Sequence, residues 1–330
     1  MNGSNYAKKI YNFQDDTLKI YARLWQFETW LRRMVYVELR AKYGDNWNSE
    51  LKSVDETKNQ DKSFIHMETT EQNDFSYAQL WQLFDLIEKK WECFSLYFPP
   101  KKVWKAKTQE ITQIRNRVAH FRTCHSDDLQ RLEQFLRDID KGFWRFCTSY
   151  NNVEPALPPS SDLVTQHFIS LDPLPWGEVG DGSWARLGHV DKSMVVGVIV
   201  SKSFRPWYKL LTTSPKETGM FYDISLLAFD RKFDAKRFLV STRKLHEQLV
   251  TINFDSQYSI ARLVIPAILG ADKIIEITSE AVRWGKSCVG RRVELSEQNE
   301  EVLGWPEYVL SSKDPMTFLD PEMPCSFFNV

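Results

Sequence analysis

The stretch TQEITQIRNRVAHFRTCH, Thr108 to His125, decides how the first half of this chain is read. Ile111, Ile114, Val118 and Phe121 recur at spacings of three and four, the period of one helix face. On a wheel of about 100° per residue these four form the core side. Arg115, Asn116, Ala119, His120 and Thr123 fall on another arc, largely away from that core. Ala119 is small and lies between Arg115 and His120, which leaves room over the backbone for a phosphate-sized group. Arginine offers a planar, permanently charged fork that matches phosphate oxygens. Imidazole exchanges a proton near neutrality. Together they suit metal-free cleavage of RNA, in which the substrate's own 2′-hydroxyl is the nucleophile. Histidine then moves the proton, and arginine stabilises charge growing on the phosphoryl oxygens. DNA lacks that hydroxyl and could not react this way. An Arg and a His five apart also arise by chance, and a face carrying Arg, Asn, Arg and His is usually just solvated. Both readings stand at this point.

Working outward, Thr17 to Tyr43 carries Leu18, Leu24, Trp25, Leu31, Met34, Val35 and Leu39 at spacings of three, four and seven, and Gly44 stops it. Residues 45–75 are polar, with SVDETKNQDK the most loop-like part. A second helix is expected from Ser76, with Ser76 and Gln79 as a capping box. It runs through LWQLFDLIEKKWECF and ends at FPPKK, because proline cannot continue a helix. Ser126, followed by Asp127 and Asp128, opens a fourth helix. Leu129, Leu132, Leu136, Ile139, Phe143 and Phe146 form its apolar stripe. The pattern predicts an antiparallel bundle with short connections.

Composition then changes. SYNNVEPALPPSSD, residues 149–162, is rich in Pro, Ser and Asn and reads as a linker. Beyond it, WGEVGDGSW is turn-forming, and SMVVGVIVS and FYDISLLAF read as strands. DAKRFLVSTRKLHEQLV and YSIARLVIPAIL read as helices, with Pro266 a kink or boundary, and DKIIEIT as another strand. The expected architecture is α+β overall. An all-α helical bundle over residues 1–148 and a linker over 149–162 precede a mixed α/β domain over 163–330, regulatory or target-recognising.

The net charge is −1, so binding of a polyanion must come from a local patch. One candidate is KKVWKAK, where Lys101, Lys102, Lys105 and Lys107 surround Trp104. These lysines read as an RNA-contacting rim with Trp104 as a stacking platform, and Arg117 and Arg122 beside the motif either add RNA contacts or are simply solvated. The alternative is a solvated lysine-rich turn with Trp104 in the core. Glu28 and Glu38 are either acids that orient a catalytic side chain or ordinary surface acids. The five cysteines are odd in number and lack metal-pair spacing, which favours a reducing compartment without a disulfide framework. Cys93 and Cys147 sit in apolar helix stretches and read as core thiols. His125 lies beside Cys124 without a suitably placed carboxylate or second Cys, so no metal is expected. No cofactor is expected either, since GEVGDG is too irregular for a dinucleotide fingerprint. His167, His189 and His246 are scattered. SFRPWYKLL suits a partner surface or a core strand edge. The opening MNGSNYAKKIYNFQDD has no apolar signal region, and the longest apolar run, MVVGVIV, suits a buried strand. A cytoplasmic location and no membrane partner are expected.

RNRVAH, Arg115 to His120, resembles the R-polar-xxx-H motif of the HEPN superfamily, in the form with Asn after the Arg. The setting is similar too: FETWLRRMVYVEL, then LWQLFDLIEKKWECF, then IRNRVAHF. The resemblance covers roughly residues 15–148 and implies a bundle of four to five helices. It also implies, for many members, a metal-independent endoribonuclease, often a toxin or antiviral-defence effector, leaving 2′,3′-cyclic phosphate and 5′-hydroxyl ends. Other members are inactive and serve as interaction or nucleotide-binding modules. Carried over, Arg115 stabilises the phosphate, His120 is the general acid/base, and Asn116 orients the histidine or binds phosphate. Active members join the motifs of two protomers, which implies a homodimer through the Arg115/His120 helix face. The wheel points the same way, since a site turned from its own core needs a second surface. RNA is the expected substrate, and an antitoxin or trigger protein is a further expected partner.

Overall fold

A computed structural model describes residues 15–51, 54–64, 66–67, 74–149, 162–174, 176–180, 183–186, 194–210, 217–229, 231–255, 257–290, 309–310, 326–328 and 330. The linker reading at 150–161 falls outside them. The chain groups into two compact units. One comprises Met1–Leu39, Trp47–Cys147 and Pro321–Val330; the other comprises Arg40–Asn46 and Thr148–Asp320. The first is therefore discontinuous in sequence.

Its described elements are helical: α1 (Asp15–Tyr43, whose last turn belongs to the second unit), α2 (Val54–Ser63), α3 (Leu80–Lys89), the one-turn α4 (Trp91–Phe94), α5 (Lys101–Ala119) and α6 (Asp128–Thr148). Ile20, Leu24, Phe27, Leu31, Met34 and Val35 of α1 repeat at helical spacing and are buried. They share this fate with Leu83, Phe84 and Ile87 of α3, Ile111 and Ile114 of α5, and Leu132, Phe135, Ile139 and Phe143 of α6. Trp104 is fully buried among them, stacked on Phe98 at 4.0 Å and edge-on to Phe84 at 5.6 Å. Burial of each such side chain contributes about 1.5–3 kcal/mol. Gly142 lets α6 lie against the Tyr97 backbone, where a Cβ would overlap the Tyr97 carbonyl oxygen.

Several boundaries differ from the sequence reading. Residues 54–63, expected as a loop, form α2, because DETKNQDK contains neither Gly nor Pro, and Asp61 accepts a bond from the Tyr77 hydroxyl at 2.8 Å. The capping exchange sits at Gln79 and Gln82 rather than Ser76 and Gln79: the Gln82 side chain accepts from the Gln79 N–H at 2.7 Å, and the helix starts at Leu80. The second helix also breaks at Lys90 before α4. Pro100 caps α5, so KKVWKAK is the start of the motif helix itself, not a turn before it. α6 starts at Asp128 rather than Ser126.

In the second unit, β3 (Val196–Phe204), β4 (Met220–Ala228), β5 (Thr251–Phe254), β6 (Ile260–Pro266) and the short β7 (Val309–Leu310) form one sheet in the order β3-β4-β6-β5-β7. All pairings are antiparallel except the parallel β5–β7 pair. A hairpin of β1 (Trp176–Gly180) and β2 (Ser183–Arg186) forms a separate two-stranded sheet. Val196, Val198 and Val200, Ile224 and Leu226, Ile252 and Phe254, and Leu263 and Ile265 alternate onto one core. Ile274, Ile277, Ala281 and Val282 of the helix Ala271–Cys288 join them, as do Val164 and Phe168 of Leu163–Phe168. The protein is thus α+β.

Two assignments reverse here. YSIARLVIPAIL, expected as a helix, contains β6, a strand paired on both sides and buried over Leu263 to Ile265 and beyond. A strand buried on both faces has a continuous apolar run with no period to read. DKIIEIT, expected as a strand, opens the helix Ala271–Cys288, whose stripe shows only when the window reaches Cys288. Trp207 of SFRPWYKLL is fully buried, which favours core over partner surface for that residue.

His246 is 9% exposed, and its Nε2 lies 3.1 Å from the Thr242 hydroxyl. Burial, aided by the Arg243 charge, pushes its pKa down to about 4. A depressed folded-state pKa contributes stability that is complete above the unfolded value of about 6.5 and is lost as pH falls toward 4. The urea midpoint of the protein is expected to fall between pH 6.5 and 4, and His246→Gln to flatten that part of the profile.

Candidate active site

α5 carries the motif. Its core line runs through Trp104, Thr108 and Ile111, all buried, and Arg115 continues that line one turn later. Arg115 is accordingly half-buried, not turned fully from the core as the wheel suggested. Glu28 of α1 lies close enough to feel the Arg115 charge, and accepts a hydrogen bond from Arg32 at 2.5 Å. Arg32 also donates to the Ala78 carbonyl at 3.1 Å. Burial raises the Glu28 pKa, and the charges of Arg32 and Arg115 work against that rise. Of the two acids singled out on α1, Glu28 therefore borders the motif. Glu38 is fully buried and accepts from the Tyr97 hydroxyl at 2.8 Å, so it is neither a surface acid nor near-surface. The Asn116 side-chain oxygen faces the Arg115 guanidinium at 3.4 Å, at the long limit of a hydrogen bond.

The helix does not continue to His125. Ala119 is its last residue and His120 is its C-cap. Phe121 adopts φ +55°, its N–H donating to the Val118 carbonyl at 3.1 Å and that of Arg122 to the Arg117 carbonyl at 2.8 Å. These are the two bonds of a Schellman termination, in which Gly usually holds the left-handed position. Phe121 occupies it at a cost of about 1–2 kcal/mol. Its ring is 92% exposed, so the wheel placed it wrongly: the core face ends where the helix ends. Thr123 likewise leaves the arc assigned to it. Ala119, His120, Arg122 and Thr123 are exposed.

Asp128 determines this termination. It is 1% exposed, takes a bidentate bond from the Arg117 guanidinium, whose Nε lies 2.8 Å away, and accepts from the His125 N–H at 2.9 Å. This pairing raises the Arg117 pKa, and the Asp128 hydrogen bond is the largest cause. Arg117 was expected on the RNA rim; its guanidinium instead locks α5 to the start of α6. Arg131 adds bonds to Glu110 at 2.6 Å and to Asp127 at 2.7 Å.

The lysines do not gather at the motif. A helix rises about 1.5 Å per residue, so Lys101 lies about 28 Å along the axis from His120, and Lys107 about 20 Å. Lys101 donates to the Glu88 carbonyl at 2.7 Å, Lys105 lies 3.9 Å from the Glu88 carboxylate, Lys107 lies 3.8 Å from Asp138, and Lys102 is exposed. Trp104 is core, which removes it as a stacking platform. Arg122 remains beside His120. Among the described residues no group of His, Cys, Asp and Glu could hold a metal ion, and no helix is long and apolar enough to cross a membrane. Cys93, Cys124, Cys147 and Cys288 are buried free thiols.

Two features were not legible in the sequence. The Glu28–Arg115 neighbourhood joins residues 87 apart, and no local pattern signals it. The exposed Phe121 was legible only as an apolar residue at core spacing.

Residues 23–140 match the model of the Swt1-like HEPN family, so the helical segment is a HEPN domain. HEPN domains are generally of ribonuclease type. No curated protein and no solved structure matches the chain.

Arg117→Ala leaves a buried carboxylate short of its cation and is expected to lower unfolding stability by about 2 kcal/mol in urea titration. Phe121→Gly relieves the left-handed strain and is expected to raise stability by about 1 kcal/mol, since almost none of the ring is buried.

Proposed function

We propose that the HEPN domain is a metal-independent endoribonuclease, an effector of toxin or antiviral-defence type, acting as a homodimer. The observation that supports it most is the unequal use of the polar residues around the motif. Arg117, at an unspecified x position of the R-polar-xxx-H pattern, is consumed by a structural ion pair. His120, inside it, stands exposed at the helix end without a side-chain hydrogen bond among the described residues. Arg115 is half-buried, near enough to Glu28 of α1 for its charge to act on that carboxylate.

The chemistry follows from those positions. The substrate's 2′-oxygen bonds to the adjacent phosphorus and the P–O5′ bond breaks, leaving a 2′,3′-cyclic phosphate and a 5′-hydroxyl. One proton leaves the 2′-oxygen and one reaches O5′. Attack and departure lie on opposite sides of phosphorus, so an acid and a base are both needed. Each chain offers one His120, and two copies supply both roles. Arg115 stabilises the phosphoryl oxygens. The helix dipole opposes a phosphate here, because α5 presents its carbonyl end; Arg115 and Arg122 must supply the attraction. Asn116 restrains the Arg115 fork.

A dimer face adjoins the site. Leu18, Tyr21, Trp25 and Glu28 follow at spacings of three and four along one stripe of α1. Leu18 is 41%, Tyr21 61% and Trp25 65% exposed. Large apolar side chains gathered on one surface favour a partner, and this stripe leads to the carboxylate beside Arg115.

Purified protein incubated with total RNA in EDTA is expected to cleave it and leave 2′,3′-cyclic phosphate ends. His120→Ala and Arg115→Ala, folded by circular dichroism, are expected to lose at least about 100-fold of that rate. Trp25→Glu is expected to sediment as a monomer and lose cleavage with them. EDTA-resistant cleavage retained by His120→Ala removes the site assignment. No cleavage of any RNA by the wild type assigns the domain to protein interaction instead. A monomer that cleaves removes the dimer.

A further inference from the structure

The segment Ser326–Phe328 belongs to the helical unit, although nearly 180 residues separate it from α6. It has no regular secondary structure. Side chains of two helices hold it. The Asp140 carboxylate of α6 accepts from the Ser326 hydroxyl at 2.8 Å and from the Phe328 N–H at 2.9 Å. Arg23 of α1 donates to the Phe328 carbonyl at 2.9 Å. Phe328 is fully buried, with its ring 4.9 Å from that of Phe143 and 6.4 Å from that of Phe27. Phe327 stacks on Phe143 at 5.7 Å and meets Trp30 edge-on at 4.8 Å. One buried aromatic anchor, a second ring on the rim, and a cation and an anion that read opposite backbone groups are the parts of a peptide-recognition site.

We propose that Phe27, Trp30, Asp140 and Phe143 form a docking groove for a Ser-Phe-Phe peptide, and that its occupant is this chain's own Ser326–Phe328, held reversibly. The physical basis is that side chains hold both backbone groups of Phe328: Asp140 its N–H and Arg23 its carbonyl. Among the described residues the segment belongs to no ladder or helix, so it can leave without unravelling a described element. Tethering holds it in place at an effective concentration on the order of millimolar. A free peptide with the same contacts but no tether competes only when the resident anchor is weakened. The groove's α1 wall, Phe27 to Trp30, is the turn that carries Glu28, so occupancy braces the residue beside Arg115. This docking does not rest on the nuclease reading.

The test uses the full chain and a fluorescein-labelled SFFNV peptide. Phe328→Ala protein, folded by circular dichroism, is expected to bind the peptide saturably in fluorescence anisotropy. Wild-type protein is expected to bind it on the order of 100-fold more weakly, because the tethered segment competes. SFANV, with the second Phe replaced, is expected to bind neither. If Phe328→Ala does not fold, millimolar SFFNV during refolding is expected to restore the circular dichroism signal, and SFANV is not. No binding to the folded variant, no restoration of an unfolded one, or equal binding to wild type and variant each overturns the proposal.

Discussion

A buried carboxylate, Asp128, stands at the junction on which the candidate site depends. It sits at the first residue of α6, where the helix N-terminus favours negative charge, and it is almost out of water. Such a charge is tolerable only when paired, and Arg117 pairs it with two bonds while the His125 N–H supplies a third. The pair joins α5 to α6 across a turn of eight residues. It thereby sets where the motif helix ends, and a left-handed Phe121 follows because the chain must reverse there. His120 is exposed because it is the last residue before that reversal.

The site is accordingly an end-of-helix arrangement, not a helix face. Arg115 lies on the rim of the core, and its charge reaches Glu28 of α1. His120 lies past the last turn and meets solvent. A phosphate placed between them would face the carbonyl end of a helix, which gives no help to an anion. The attraction must come from guanidinium groups, and Arg115 and Arg122 are the two near the motif that Asp128 does not hold.

Much of the helical unit was legible from periodicity alone. α1, α5 and α6 follow from apolar residues at three and four, and Cys93, Cys147 and Trp104 lie where apolar stretches would bury them. β3 and β4 followed from short apolar runs. The exchange of β6 and the last helix, Ala271–Cys288, has a plain cause. A strand between two neighbours is apolar on both faces and loses its alternation, while the opening of a buried helix looks like a strand if the window is short. α2 failed for the opposite reason: its residues are polar all round, so no apolar stripe announced it.

The order Arg115-Asn116-xxx-His120, the helix that carries it and the helical class of the first unit were determined by the sequence itself, because they depend on residues a few positions apart. Backbone geometry converts such spacings into faces without reference to the rest of the chain. Only the tertiary structure decided which arginine is structural, which acid stands beside Arg115 and which distant ring, Phe328, closes the core of the bundle. Those outcomes bring together groups from 11 to 305 positions apart. Burial makes it costly to break the Arg117–Asp128 pair or to expose Phe328, but nothing in local spacing says which partner the folded chain will bring.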